Sequence, residues 1–155
     1  MTVVLRPMRP EEFDAFAERG RTGYVEQMVE FGGMERSAAD AKAVRDYAAT
    51  LPEGLDSPGH WIMVAENAGR RVGVVWFAER VLDGRTVGFL YEIEIEEAER
   101  GRGYGRAAME AFEREASRRG LTRLELNVFG GNAIARSLYR SLGWQETSVH
   151  MAKQV

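Results

Sequence analysis

Two glutamates in the middle of the chain could accept a proton. Glu92 and Glu94 alternate with apolar residues in the segment VGFLYEIEIEE, residues 87–97. Because successive side chains of a strand point to opposite faces of a sheet, the two carboxylates would share one face. Partial burial in a cleft would raise their pKa towards a value that suits a general base at neutral pH. A solvated strand face is the competing interpretation, and the sequence leaves both open.

A turn rich in glycine and arginine follows this strand. The stretch ERGRGYGR, residues 99–106, holds three glycines and three arginines and then enters an apolar helical run. A helix N-terminus offers unpaired N–H groups and partial positive charge, and glycines let a phosphate approach them closely. The pattern therefore predicts a site for a phosphorylated ligand. The alternative is a strand-to-helix turn with solvated arginines.

Two other classes of phosphate site fit the turn less well. The G-x-x-x-x-G-K-[ST] pattern of nucleotide-hydrolysing P-loops is absent. Gly103, Gly105 and Ala108 satisfy the G-x-G-x-x-A pattern of dinucleotide-binding proteins, and Glu125 follows at a suitable distance for a ribose hydroxyl. That fold needs further strand–helix units after the glycines, whereas little chain remains here. Dinucleotide binding is therefore a minor alternative.

Sequence periodicity predicts the elements that must position these residues. A strand over residues 2–8 precedes two helices. The first helix is expected to bend or break at Gly20 and Gly23, and the second to begin with a Ser37–Asp40 capping box. Three strands then form an antiparallel meander that ends at residue 97. A helix over 105–119, a strand over 121–129, a helix over 132–142 and a last strand over 147–154 complete the chain.

The order of these elements predicts an α/β (α+β) fold in one domain, residues 1–155. The last meander strand, the helix after the glycine turn and the strand 121–129 form a strand–helix–strand unit, so its two strands should run parallel. We therefore expect a mixed central sheet of six to seven strands with about four helices.

Composition excludes several kinds of site. The 155 residues include no cysteine, so disulfides, thiolate metal sites and a cysteine nucleophile are excluded, and the two histidines give no reason to expect a metal. A formal net charge of −3 gives no general attraction to nucleic acid. No run approaches the ~20 apolar residues of a membrane span. We expect a cytoplasmic protein without nucleic-acid or membrane partners.

Two motifs resemble the GNAT-type N-acetyltransferase family, and the chain looks most like its small bacterial members. The segment RGRGYG, residues 100–105, is similar to the family's Q/R-x-x-G-x-G/A signature. The segment NAIARSLYRSLGW, residues 132–144, is similar to N-x-x-A-x-x-L-Y-x-x-L-G-F/Y. Two such motifs in the right order are more specific than either alone. The resemblance implies an N-acetyltransferase that uses acetyl-CoA, with a splayed pair of parallel strands at the cofactor site.

The resemblance also implies roles for individual residues. The glycine turn would hold the diphosphate of CoA, main chain near Ile93 and Ile95 would pair with the pantetheine arm, and Asn132 would face that arm. Tyr139 takes the place of the family's usual general acid. Arg102, Arg136 and Arg140 are alternatives for the 3'-phosphate. The residues expected to bind the cofactor are Ile93, Ile95, Arg100, Gly101, Arg102, Gly103, Tyr104, Gly105, Arg106, Asn132, Ala135 and Tyr139.

The acceptor is expected to be a small-molecule or peptide amine that attacks the thioester directly. Acidic residues near the cleft favour a cationic acceptor. Asn127 stands where some relatives that acetylate protein N-termini carry a glutamate; an amide cannot act as a base, so Asn127 is a candidate for orienting the acceptor. A homodimer is compatible with the resemblance. The rival to an enzyme is a non-catalytic CoA-sensing or interaction module of the same fold.

Overall fold

A mixed five-stranded sheet forms the centre of the molecule. The computed structural model describes residues 1–155, and the strands lie in the order β1–β2–β3–β4–β5. They comprise β1 (Val4–Pro7), β2 (His60–Asn67), β3 (Arg70–Leu82), β4 (Arg85–Ile95) and β5 (Leu124–Leu126). The first four pair antiparallel, and β5 runs parallel to β4. The predicted meander and parallel pair are confirmed, whereas the sheet has five strands rather than six to seven.

Four α-helices cover the two faces of this sheet. They are α1 (Pro10–Glu30), α2 (Arg36–Thr50), α3 (Tyr104–Arg118) and α4 (Ala133–Ser141), and two short 3-10 turns lie at Gly54–Asp56 and Glu97–Glu99. Apolar residues of α1 pack on one face of the sheet, and those of α3 pack on the other. No helix is both long enough and apolar enough to cross a lipid bilayer.

The middle of β3 is buried on both faces. Val75 and Phe77 pack under α3, where the Phe77 ring lies 5.1 Å from the ring of Phe112. Val74 and Trp76 point to the opposite face, towards α1. An almost continuous apolar run is what a strand covered on both sides requires, which explains why this segment does not alternate with polar residues.

Three local predictions about the elements are wrong. Helix α1 runs without interruption through Gly20 and Gly23, since a glycine costs a helix only about 1 kcal/mol and the packed face of α1 outweighs that cost. The N-cap of α2 is Glu35, whose side chain accepts the amide hydrogen of Ala38, rather than Ser37. Residues 147–154 form no strand, and β5 has only three residues to offer as an edge for pairing.

Two irregularities in β4 shape the neighbouring space. Trp76 lies opposite Glu92 and Phe77 lies opposite Leu90, so Tyr91 is an extra residue in a β-bulge. Pairing between β4 and β5 involves only residues 88–90 of β4. Beyond Leu90 the two parallel strands therefore separate, and the edge of β4 that faces β5 is left without a partner strand.

Close approach of β3 and β4 leaves no room for a side chain at Gly73. A Cβ there would lie 2.3 Å from the backbone oxygen of Glu94 on the adjacent strand. We expect Gly73→Ala to lower the free energy of unfolding by about 1–3 kcal/mol, because neither strand can move without breaking ladder hydrogen bonds. Thermal and urea unfolding would measure the change. Gly130→Ala, which places the same methyl in open space, is the control, and equal losses in both variants would contradict the argument.

Candidate active site

A cavity of about 740 Å³ opens beside the separated part of β4. Helices α1 and α2 form one wall, and β4, the segment after β5 and α4 form the other. Glu92, Glu94, Asn127, Asn132 and Tyr139, all expected in the site from sequence, line this one cavity. The fold thus brings together residues that are up to 47 positions apart in the chain, between Glu92 and Tyr139.

Glu92 is the carboxyl group with the most altered acidity in this cavity. Burial, and secondly the nearby charge of Glu94, raise its pKa from 4.5 to about 7. The Tyr47 hydroxyl donates a hydrogen bond to Glu92 Oε2 at 3.2 Å, which opposes part of this rise. A carboxyl group with such a pKa can exchange a proton at neutral pH.

Space for this pair is provided by Gly20 of α1. A Cβ at Gly20 would lie 2.3 Å from the Tyr47 hydroxyl oxygen and 2.8 Å from Glu92 Oε2. Any larger residue would displace the tyrosine or the carboxylate. Gly20 has a low helix propensity, but it is the residue that lets α1 lie close to Tyr47 and Glu92.

Arginines neutralise the two following glutamates, Glu94 in β4 and Glu96 directly after it. Glu94 forms a salt bridge with Arg19 at 3.1 Å, and Arg100 lies 3.8 Å from the same carboxylate. Glu96 pairs with Arg71 at 2.8 Å and with Arg19 at 3.1 Å. Glu92 is thus the acidic group of this strand face that forms no salt bridge; it accepts from the neutral Tyr47 hydroxyl and lies beside the Glu94 carboxyl.

The opposite wall carries Tyr139 and two asparagines. Tyr139 is half-buried on α4, its ring lies 6.2 Å from that of Trp144, and burial raises its pKa above the usual 10. Asn132 is the N-cap of α4, where its side-chain oxygen accepts the amide hydrogen of Ala135 at 3.2 Å. The side-chain oxygen of Asn132 is therefore engaged in the helix cap.

The glycine turn presents a row of free hydrogen-bond donors. The backbone N–H groups of residues 101–106 donate to no acceptor within the protein. Gly101 has a φ of 74° and Gly103 a φ of 86°, a left-handed conformation that favours glycine, and a Cβ on Gly101 would meet nothing within 4 Å. Gly105 lies close to α4, since its Cβ would be 3.4 Å from Leu138. This open loop at the start of α3 fits a diphosphate.

Contacts of the buried Glu99 and of Arg100 and Tyr104 hold this turn in place. Glu99 is 7% exposed and accepts from Arg70 at 2.6 Å and from Arg102 at 3.2 Å. Arg100 donates to the backbone oxygen of Ile95 at 3.1 Å. The side chain of Tyr104 points into the core, where its hydroxyl accepts from Asn67 at 2.9 Å, so only its backbone N–H faces the turn.

The arginines considered for the 3'-phosphate all have partners. Arg102 binds Glu99, while Arg136 and Arg140 share the carboxylate of Glu146. Arg106 donates to the hydroxyl of Ser141. The contacts therefore do not favour one of them, and the alternatives stay open.

Most of the aromatic residues that line the cavity, here called the aromatic wall, were not predicted from the sequence. Trp76, Phe89 and Tyr91 line the cavity, and Tyr91 stacks on Trp76 with ring centroids 4.6 Å apart. Tyr47 also lines it. Only the bulge turns Tyr91 to the same side as Glu92, and simple alternation would place it on the opposite face. The sequence therefore contained no signal for this arrangement.

His60 lies behind this wall. Its Nδ1 accepts a hydrogen bond from Trp76 Nε1 at 3.0 Å, and its ring lies 5.6 Å from that of Tyr91. Burial, and secondly the charge of Arg80, lower its pKa. A neutral His60 that accepts from the indole holds Trp76 in place, which is a supporting role.

Comparison with known proteins agrees with this geometry. Residues 22–144 match the family described as Acetyltransferase (GNAT) family. The chain belongs to the GNAT acetyltransferase family. It is therefore an acyltransferase that uses acetyl-CoA, and the free N–H groups of the glycine turn suit the diphosphate of that donor.

Relatives extend along the whole chain. The N-acetyltransferase YycN of Bacillus subtilis is 32% identical over 156 residues, covering 100% of both proteins, and YdgE of the same organism is 30% identical over 100% of this chain and 99% of its own. The crystal structure of YycN matches with a TM-score of 0.93 over 99% of each chain. An acetyltransferase from Clostridium acetobutylicum with acetyl-CoA shares the fold, with a TM-score of 0.66 at 15% identity over 99% of this chain and 96% of its own.

These findings also decide between the alternatives drawn from sequence. The relatives are N-acetyltransferases, which supports an enzyme rather than a non-catalytic module. A dinucleotide-binding fold would require several parallel strand–helix units, whereas only β4 and β5 pair in parallel here.

The raised pKa of Glu92 makes its contribution to stability depend on pH. Between the unfolded pKa near 4.5 and the folded pKa of about 7, the folded state binds more protons, so this contribution is lost as pH rises through that window. We expect wild type to lose stability relative to Glu92→Gln as the pH rises from 5 to 8. Melting temperatures of both proteins across this range would measure it, and parallel curves would contradict a raised pKa.

Gly20→Ala tests the contact between helix α1 and the Tyr47–Glu92 pair. The added methyl must displace the tyrosine hydroxyl or the carboxylate, so we expect a loss of stability despite the better helix propensity of alanine. Gly23→Ala, in the same helix with nothing within 4 Å of its Cβ, should gain about 0.5–1 kcal/mol. Thermal unfolding of the two variants would compare them, and equal gains would show that the space at Gly20 is not needed.

Proposed function

We propose that this acetyltransferase transfers the acetyl group of acetyl-CoA to a primary amine that attacks the thioester directly, with Glu92 as general base and Tyr139 as general acid. The observation that carries the proposal is the Glu92 carboxyl, with a pKa of about 7, in the cavity that Tyr139 also lines. Acetyl-CoA supplies an activated acetyl group and a thiol leaving group.

A base is needed because most of the acceptor is protonated. An alkyl ammonium with a pKa near 10.4 is neutral in roughly one molecule in a few thousand at pH 7. Glu92, which is about half ionised there, accepts a proton from the amine directly or through one water. Glu94, the other candidate from sequence, is less suitable because Arg19 holds its carboxylate in a salt bridge.

Tyr139 is suited to the opposite proton transfer. Burial raises its pKa, so the phenol stays protonated at neutral pH. The departing thiolate, with a thiol pKa near that of cysteine at ~8.5, would receive this proton. Asn127 lines the same wall, and we propose that its amide orients the acceptor.

The remaining residues hold the donor in our proposal. The free N–H groups of Gly101 to Arg106 bind the diphosphate. The unpaired edge of β4 near Ile93 offers backbone groups to the pantetheine arm, whereas the backbone oxygen of Ile95 already accepts from Arg100. Binding at this edge would place the thioester between the separated strands and beside the cavity.

Charge at the acceptor end differs from the sequence-based expectation. A cationic acceptor was expected from the acidic face of β4, but Glu94 is paired with Arg19, and Glu96 with Arg71. Only Glu92 is left without a cationic partner, and at neutral pH it is partly protonated. The cationic acceptor thereby loses its main support.

Glu92→Gln tests the base. We expect wild-type kcat/KM to rise with pH through an inflection near pH 7, and the variant to lose that inflection with a fall of roughly 10²–10⁴-fold above it. Steady-state release of CoA across pH 6 to 9 would measure both. Glu96→Gln, on the same strand face, should keep the wild-type profile. An inflection that persists in Glu92→Gln would remove Glu92 from the mechanism.

Tyr139→Phe tests the acid. We expect kcat to fall by roughly 10²-fold or more while the Kd for acetyl-CoA stays within about twofold, because the phenol acts on the leaving group rather than on binding. Turnover assays and calorimetry would separate the two quantities. Tyr104→Phe is the matched control: it removes a core hydroxyl bonded to Asn67 and keeps the backbone N–H proposed to bind the donor, so kcat should be retained. Normal turnover in Tyr139→Phe would contradict the assignment.

A further inference from the structure

Arg80 is a half-buried cation in the cavity wall without an acidic partner. It lies on β3, and its guanidinium carbon is 4.7 Å from the centre of the Phe89 ring and 5.8 Å from that of Tyr91. Two arginines line the cavity, and the other one, Arg100, lies 3.8 Å from Glu94. Arg80 forms no salt bridge with any aspartate or glutamate.

This arrangement leaves the guanidinium ready for an anion. Aromatic rings stabilise one face of the cation, and the neutral Tyr91 hydroxyl lies close enough to interact with it, but no carboxylate uses its N–H donors. The edge of a guanidinium forms two parallel hydrogen bonds with a carboxylate, and such charge-assisted bonds are stronger than neutral ones. A partly desolvated arginine without a protein carboxylate therefore favours a ligand that carries one.

Arg80 lies at a fixed separation from the proposed base. In the β3–β4 register Arg80 is opposite Val87 and Trp76 is opposite Glu92. Arg80 lies four positions after Trp76 along β3, which corresponds to about 13 Å between Cα atoms. The long arginine side chain shortens this span. A ligand that contacts both Glu92 and Arg80 must therefore carry its two polar groups at opposite ends of a chain several bonds long.

Aromatic rings occupy the interval between these two charged groups. The Tyr91 ring stacks on Trp76 at 4.6 Å and meets the Phe89 ring at 4.9 Å, and Arg80 covers the Phe89 end. This continuous apolar surface matches an aliphatic or aromatic segment between the two ends of a ligand.

We propose that Arg80 binds an anionic group of the acceptor, so that the acceptor is a primary amine with a carboxylate at the far end of an apolar segment. This rests on the proposed N-acetyl transfer at Glu92, since it is Glu92 that fixes where the amine lies. It replaces the cationic acceptor expected from sequence with an amine that is negatively charged at its distal end.

Matched acceptors would test the proposal. ε-Aminocaproate, its uncharged amide ε-aminocaproamide and the diamine cadaverine all present a primary amine on a similar chain, and only the first ends in a carboxylate. We expect wild-type kcat/KM for the carboxylate to exceed that for the amide by about tenfold or more, the value of a charge-assisted hydrogen bond. A preference for the amide or for cadaverine would overturn the proposal.

Arg80→Gln should remove this preference selectively. We expect the ratio of kcat/KM values for carboxylate and amide to fall to about one, through a higher KM for the carboxylate, with the amide unchanged. Arg85→Gln, an exposed arginine on the same hairpin, is the control and should keep the wild-type ratio. An equal loss for both acceptors in Arg80→Gln would show a purely structural role and would also overturn the proposal.

The experiment separates failure of this inference from failure of the proposed mechanism. Acetylation of all three amines without preference would reject the role of Arg80 and leave the Glu92 mechanism intact. If Glu92→Gln keeps the carboxylate preference and its kcat is unchanged, the role of Arg80 stands and the Glu92 mechanism is rejected. Calorimetry with ε-aminocaproate and CoA covers the case of slow turnover: binding to wild type that Arg80→Gln weakens by about tenfold supports the proposal, and no binding to wild type rejects it.

Discussion

The change of partners along β4 is the constraint on which the site depends. Over residues 88–90 the strand is hydrogen-bonded on both edges, to β3 and to β5. After Leu90 it keeps β3 alone, and the bulge at Tyr91 alters which side chains face the α1 side. Without the separation there would be no cavity between the parallel strands, and without the bulge Tyr91 and Glu92 would point to opposite faces.

Charge pairing around this cavity sets one carboxyl group apart from its neighbours. Arg19 and Arg71 neutralise Glu94 and Glu96, which lie nearer to solvent and to the glycine turn. Glu92 lies deeper, bonded to the Tyr47 hydroxyl, and burial raises its pKa. Three glutamates on one strand face thus have different chemistry, because their positions differ in solvation and in the nearby cations.

Much of the fold followed from the sequence, and the errors arose where packing outweighs local preference. Helix α3 ends before Gly120 as predicted, and the meander and parallel pair are present. Gly20 was expected to weaken α1 locally, and the contact with Tyr47 that makes it necessary joins residues far apart in the chain. The last strand was expected from alternation alone, but a strand also needs an edge to pair with, and β5 is three residues long.

By itself the sequence determined which segments form the proposed donor site. The glycine turn and the motif around Tyr139 are contiguous segments, and their proposed role depends on backbone N–H groups and helix ends that local sequence specifies. Only the tertiary structure decided which glutamate is free, which aromatic residues line the cavity and that Arg80 has no carboxylate partner. Ion pairing and burial depend on which groups meet in space, so they cannot be predicted from residue types and their spacing along the chain.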